Sequence, residues 1–168
     1  MCAIYTTLPA ASDDAAIASA ADGDGGFGLG RHAVCALAAA FVPSSHVAFA
    51  ARVCEGSLYM FATPPIVHRA GNREAWVARV VGVEPPDPLW PAVPELAVIV
   101  GGPPARLVAD RIAWLAPDVV AAAAIALARP RRAVAAHVDV AAVALDLRTW
   151  LAGVVARGDG VALHWMMR

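Results

Sequence analysis

The spacing of apolar residues changes twice near the end of the chain. Residues 133–138 alternate between two faces, a pattern that predicts a strand. After Asp139, a residue type that often caps helices, apolar residues recur every three or four positions, which predicts a helix with one buried face. The glycines within 158–160 end this helix, and residues 161–166 alternate again. The chain is therefore predicted to finish as strand, helix and strand, with the last strand pairing with a sheet formed by earlier residues.

The first quarter of the chain carries simpler signals. Residues 2–8 alternate and predict an opening strand. The polar residues 12–14 precede an alanine-rich stretch and predict a helix N-terminus. Residues 21–30 are rich in glycine and predict a loop; their GxGxxG spacing follows no buried strand, so a dinucleotide site is not predicted. Residues 31–42 predict a short helix.

The middle of the chain predicts mainly strands. Residues 46–62 alternate on both sides of a Glu-Gly pair and predict a hairpin, and residues 76–81 predict a further strand. Residues 84–94 contain five prolines and predict a surface loop inside one domain. The apolar run 96–100 predicts a strand that is buried on both faces.

Two helices are predicted between that run and the final segment. Apolar residues at helical spacing predict the first over 104–115, and Asp118 is predicted to cap a second that is apolar on all sides and therefore buried. The order β-α-α-β-β-β-β-α-α-β-α-β predicts an α+β fold with a mixed, mostly antiparallel sheet flanked by helices. A length of 168 residues suits a single domain.

Composition narrows the class of protein. Hydrophobic residues make up 60% of the chain, but 41 of the 168 residues are Ala, so the hydropathy comes from small side chains and predicts no membrane span. A net charge of −1 gives no general attraction to nucleic acid or anionic membranes. No export signal is recognised at the N-terminus, and the odd number of cysteines argues against disulfides, so a cytoplasmic protein is expected. Neither the cysteines nor the histidines have metal-ligand spacing.

The end of the chain resembles that of GNAT superfamily N-acetyltransferases. The shared features are a strand ending in Val-Asp-Val, an apolar helix, a glycine-containing turn and a last strand ending in Trp-Met-Met-Arg. The resemblance covers most of the chain and is strongest at residues 2–20, 46–63 and 132–168. It implies a GNAT-like (acyl-CoA N-acyltransferase) fold, and transfer of an acetyl or acyl group from acetyl-CoA to the amine of a small molecule or peptide. Whether the chain forms a homodimer is left open.

The resemblance also implies a pyrophosphate site after the strand at 96–100. Glycines would let the backbone approach the ligand, and the N-terminus of a following helix would favour its negative charge. The residues implied are Val100, Gly101, Gly102, Ala105 and Arg106. The family pattern R/Q-x-x-G-x-G/A is absent, and Pro103 and Pro104 remove two N–H donors, so a plain strand-to-helix turn is the alternative.

Acetyl transfer further requires a group that takes the proton of the ammonium substrate. Glu95 and Glu74, each at the start of a predicted strand, are the candidate catalytic residues; the alternative is that both are solvated strand ends. The resemblance suggests that Phe27 and Leu29, in the glycine-rich loop, contact the substrate. The helix that would carry the family's thiolate-protonating Tyr contains none.

Two other functions compete with acyl transfer. The first is an inactive GNAT-like domain that acts as a binding or interaction module. The second is an amidohydrolase whose nucleophile is Cys2, exposed by removal of Met1, with polar partners at 72–74. A small apolar residue on a strand is the simpler interpretation of Cys2. The arginines at 129–132 are interpreted as caps for the helix that precedes them, or as contacts for a 3′-phosphate or a partner.

Overall fold

The computed structural model describes residues 2–20, 26–43, 93–101, 104–109 and 111–166. Within these ranges the strands are β1 (Cys2–Leu8), β2 (Phe27–Gly30), β3 (Arg106–Ala109), β4 (Ile112–Leu115) and β5 (Gly160–Met166). The helices are α1 (Asp14–Ala20), α2 (Arg31–Phe41), α3 (Pro94–Val100), α4 (Pro117–Ala126) and α5 (Val140–Arg157). The predicted hairpin at 46–62, the strand at 76–81 and residues 84–92 of the proline-rich loop lie outside the described residues.

The described strands form one sheet in the order β2-β1-β5-β4-β3. Every pairing among them is antiparallel, so the α+β class is confirmed, while the sheet in this part of the chain is not mixed. β5 pairs with β1 along its whole length, from Met166 opposite Cys2 to Gly160 opposite Leu8. This confirms the prediction that the last strand folds back onto a sheet begun by the opening residues.

The two faces of the sheet are covered differently. Tyr5, Leu115 and Leu163 point into the main core, where they pack with residues of helices α2 to α5 on one face of the sheet. On the other face, Ile112 and Trp114 of β4 pack with Ile17 of α1 in a smaller cluster. This division follows from strand geometry, since alternate side chains point to opposite faces.

Helices with clear end signals lie where the sequence predicts them. The Asp13 carboxylate accepts a hydrogen bond from the backbone N–H of Ala16 at 2.8 Å, next to the start of α1. Asp139 caps α5 in the same way, accepting from the N–H groups of Ala141 and Ala142 at 3.0 and 3.1 Å. Gly158 ends α5 with φ 71°, a left-handed conformation that favours glycine.

The prediction of a buried strand at 96–100 is wrong, because these residues belong to α3. Pro94 occupies the first turn of this helix, and Gly101 ends it in the left-handed conformation with φ 67°. The run is apolar because the helix is enclosed: residues 96–99 are all buried. Burial on every side hides the helical period in so short a segment.

The predicted helix at 104–115 is also wrong. The segment forms the β3–β4 hairpin, and Arg111 takes φ 64° at its turn. Val108, Ile112 and Leu115 have helical spacing in the sequence, but in the structure they lie on two paired strands. A left-handed turn is built here without the glycine that normally signals one.

Three smaller predictions are corrected. Residues 133–138 form no strand, and residues 27–30 of the predicted loop form β2. The helix that Asp118 was predicted to cap begins at Pro117, two residues before the predicted start at Val119, and its N-cap is Ala116. It is not buried on all sides, because Ile125 is 77% exposed. Within the described ranges, no helix combines the length and the hydropathy that crossing a bilayer requires.

Candidate functional site

The C-terminus of α2 is held by Arg131 and Arg132, which we call the arginine clamp. The last carbonyls of a helix have no partner within the helix. Arg132 donates from its two terminal nitrogens to the carbonyls of Ala39 and Val42, and Arg131 donates from Nε to the carbonyl of Phe41 at 2.8 Å. The backbone N–H groups of both arginines donate to the carbonyl of Ala40 at 2.8 and 3.2 Å. The clamp thus supplies donors to four consecutive carbonyls.

Glu95, one of the two predicted catalytic residues, is part of the same arrangement. It lies in the first turn of α3, and its carboxylate accepts a hydrogen bond from Nη2 of Arg131 at 2.7 Å. The side chain of Glu95 is only 5% exposed, whereas that of Arg131 is 50% exposed. The ion pair therefore ties α3 to the clamp. Glu74, the other predicted catalytic residue, lies outside the described residues.

The residues predicted to bind pyrophosphate do not surround a helix N-terminus. Val100 and Gly101 end α3, where carbonyls rather than N–H groups are free. Ala105 is buried, and Arg106 at the start of β3 forms an ion pair with Asp14 at 2.7 Å. Gly102 lies outside the described residues. The pyrophosphate role stays a prediction, but without the strand-to-helix turn on which it was based.

Phe27 and Leu29, predicted to contact substrate from a loop, lie on β2, where Leu29 belongs to the core and Phe27 packs partly buried against it. Leu29 is buried, and the ring of Phe27 lies 6.1 Å from that of Tyr5 and 5.7 Å from that of Trp150, measured between centroids. Cys2 begins β1, with its backbone between β2 and β5. The residues at 72–74 suggested as its partners lie outside the described part of the chain, so the hydrolase hypothesis stays a prediction.

A groove of about 570 Å³ lies between the end of α2, the segment 127–139 and the first turns of α5. Most of its lining is apolar. The apolar residues include Phe41, Leu127, Val134, Val138, Val140 and Leu145. The volume lies within the range of small-molecule sites, and the groove is open to solvent along one side.

Three charged side chains line the groove, namely Arg132, Asp139 and Arg148. The guanidinium of Arg132 is held by the end of α2, and the carboxylate of Asp139 caps α5. Arg148 is partly buried and has no hydrogen bond or ion pair within the described part of the chain. Two arginines and one aspartate give the lining a formal charge of 2 − 1 = +1.

Sequence reasoning missed this groove. Its walls come from α2, the segment after α4 and α5, and nothing local links residues so far apart. The available signal was weak: Ala141, Leu145 and Arg148 follow one another at helical spacing on one face of α5. Among the described residues, no three His, Cys, Asp or Glu side chains lie together in a way that could hold a metal ion.

No protein-family model, curated protein or solved structure matches this chain. The function is therefore argued from the geometry of the site.

Tyr5 is another polar group of interest, because it lies in the main core. Its side chain is fully buried, and its hydroxyl has no hydrogen-bond partner among the described residues. Burial raises the pKa of the Tyr5 phenol above its ordinary value, since the phenolate would lose its hydration. The ring also contacts Trp150 of α5, with 6.2 Å between centroids.

Replacing Arg132 with Ala or Lys should lower the free energy of unfolding by about 2 kcal/mol, because carbonyls at the end of α2 lose their donors. Lys carries the same charge but lacks the planar fork that reaches two carbonyls at once. Arg129→Ala, at an exposed neighbouring position, is the matched control and should change stability by less than about 0.5 kcal/mol. Urea denaturation measures the free energy of unfolding of the three variants and of the unchanged protein. Equal stability of Arg132→Lys and the unchanged protein would contradict the role of the clamp.

Replacing Tyr5 with Phe should keep or raise stability near neutral pH, by up to about 1 kcal/mol, because a buried hydroxyl without a partner is removed. The pH dependence is the sharper test. The folded pKa is raised, so the contribution of the neutral phenol is complete below about pH 10, the ordinary pKa of Tyr, and is lost as pH rises above it. Denaturation between pH 8 and 11, values chosen to bracket that pKa, should show a steeper loss for the unchanged protein than for Tyr5→Phe. Parallel curves would disprove the burial argument.

Proposed function

We propose that this domain is a binding module that holds a small ligand in the groove between α2, the segment 127–139 and α5. The groove itself carries the proposal: it is about 570 Å³ in volume and its lining is mainly aliphatic. Sites for small molecules are concave, largely apolar and equipped with a few polar groups that orient the ligand. Arg148 is such a group.

The wall of the groove is fixed at both ends. The clamp holds the segment 127–139 near its start, and Asp139 anchors its end to α5 by capping that helix. When the wall of a site is already ordered, binding does not have to supply the free energy of ordering it, and the ligand binds more tightly. This supports binding as the function of the groove.

The position of Glu95, the predicted catalytic residue that the structure describes, favours the binding module over acyl transfer. The carboxylate of Glu95 is buried and engaged by Arg131, so it is not placed to take a proton from a substrate or water. Gly101 follows a helix C-terminus, whose partial charge is negative and disfavours pyrophosphate.

The module is tested with Nile red, an uncharged dye that fluoresces in apolar sites. Ala141 lines the groove and is exposed, so Ala141→Trp should fill the groove with little effect on folding and weaken dye binding about tenfold or more. Ala152→Trp places the same side chain at an exposed position of α5 that does not line the groove, and should leave binding unchanged. Equal dye affinity of the two variants would rule the groove out as the binding site.

Acyl transfer from acetyl-CoA in a GNAT-like domain is the second candidate, supported by the pairing of the closing strand β5 with the opening strand β1. Calorimetric titration separates the two functions. If the domain is a binding module of this kind, titration with acetyl-CoA at millimolar concentration should give no heat of binding. Micromolar binding that Arg106→Ala weakens would instead favour the enzyme. Asp14→Ala is the matched control, because it breaks the Arg106 ion pair without removing the cation.

A further inference from the structure

We infer that the ligand of the groove is an aliphatic carboxylate, of the kind a free fatty acid provides, with its carboxylate on Arg148. This inference rests on the proposed function and adds the chemical class of the ligand.

The charge of the groove points to an anion. Arg132 and Asp139 each bind a helix terminus, but hydrogen bonds to backbone groups leave both charges in place, so the lining keeps a formal charge of +1. Arg148 is partly buried, lines the groove and has no partner within the described ranges. A guanidinium offers paired N–H donors whose geometry matches a carboxylate, and the pairing strengthens as water is excluded.

The body of the ligand is inferred from what the groove lacks. Apart from the three charged residues, the lining side chains are those of Ala, Val, Leu, Pro and Phe. A peptide laid along this surface would bury amide groups that these side chains cannot satisfy, and each such group is costly to bury. An aliphatic chain carries no polar groups, so its burial is favourable along the whole length.

The position of Arg148 suits a head group. It lies three residues after Leu145 and four after Ala144, both of which line the groove, and so stands one helical turn further along the same face of α5. A ligand with a charged end and an apolar chain can therefore contact the guanidinium and the aliphatic wall together.

Displacement of Nile red by octanoate and by octan-1-ol tests this inference at neutral pH, because the two have the same chain length and differ in charge. Octanoate should displace the dye from the unchanged protein at about tenfold lower concentration than octan-1-ol. Arg148→Ala should remove this preference by weakening octanoate alone. Arg129→Ala, which removes an arginine that does not line the groove, should preserve it.

The other outcomes are distinguishable. Equal displacement by octanoate and octan-1-ol from the unchanged protein would overturn the carboxylate while leaving the groove as a binding site. A tetrapeptide with an apolar sequence and a free C-terminus that displaces the dye more readily than octanoate would identify a peptide end as the occupant and overturn the fatty acid. Loss of the octanoate preference in Arg129→Ala would overturn the assignment to Arg148. If Ala141→Trp also fails to reduce dye binding, the proposed function fails with the inference.

Discussion

The contact between the arginine clamp and the end of α2 is the constraint on which the rest of the described structure depends. The last residues of α2 are buried against the core, so water cannot readily donate hydrogen bonds to their carbonyls. The donors come from arginines about 90 positions later in the chain. Satisfying the helix end therefore decides where the chain must run after α4. Through Glu95 it also decides where α3 docks, because an unpaired carboxylate in that buried position would be costly.

The pairing of β1 with β5 imposes a second long-range constraint. β5 is the only described strand that contacts both β1 and β4, so without it the β1–β2 and β3–β4 pairs would have no common partner. The centre of the sheet is thus built from the two ends of the chain. Leu163 of β5 and Tyr5 of β1 then lie in the main core, which α5 covers. The apolar face of α5 packs on this core together with α2 and α4.

Local signals predicted the parts of the fold that local interactions determine. The caps Asp13 and Asp139 and the left-handed Gly158 act within a few residues, and the helices they bound were predicted correctly. The failures at 96–100 and 104–115 have different causes. The apolar segment 96–100 is buried on several sides and has no visible period, whereas in 104–115 the left-handed Arg111 gives no compositional sign of the turn. Pro94 and Gly101 are typical of a helix start and a helix end. In the structure the segment between them forms a helix despite its continuous apolar run.

For charged side chains, residue type alone does not fix a role, because the partner also matters. The carboxylate of Glu95 is engaged by Arg131, and the guanidinium of Arg106 by Asp14. Neither partner is near in sequence. The same reasoning explains the electrostatics of the groove. Arg132 donates to the last carbonyls of α2, and Asp139 accepts from the first N–H groups of α5, so both side chains stabilise helix ends. Arg148 is the charged side chain of the lining that has no partner within the described residues. The charge available to a ligand is therefore the one that the helix ends do not use.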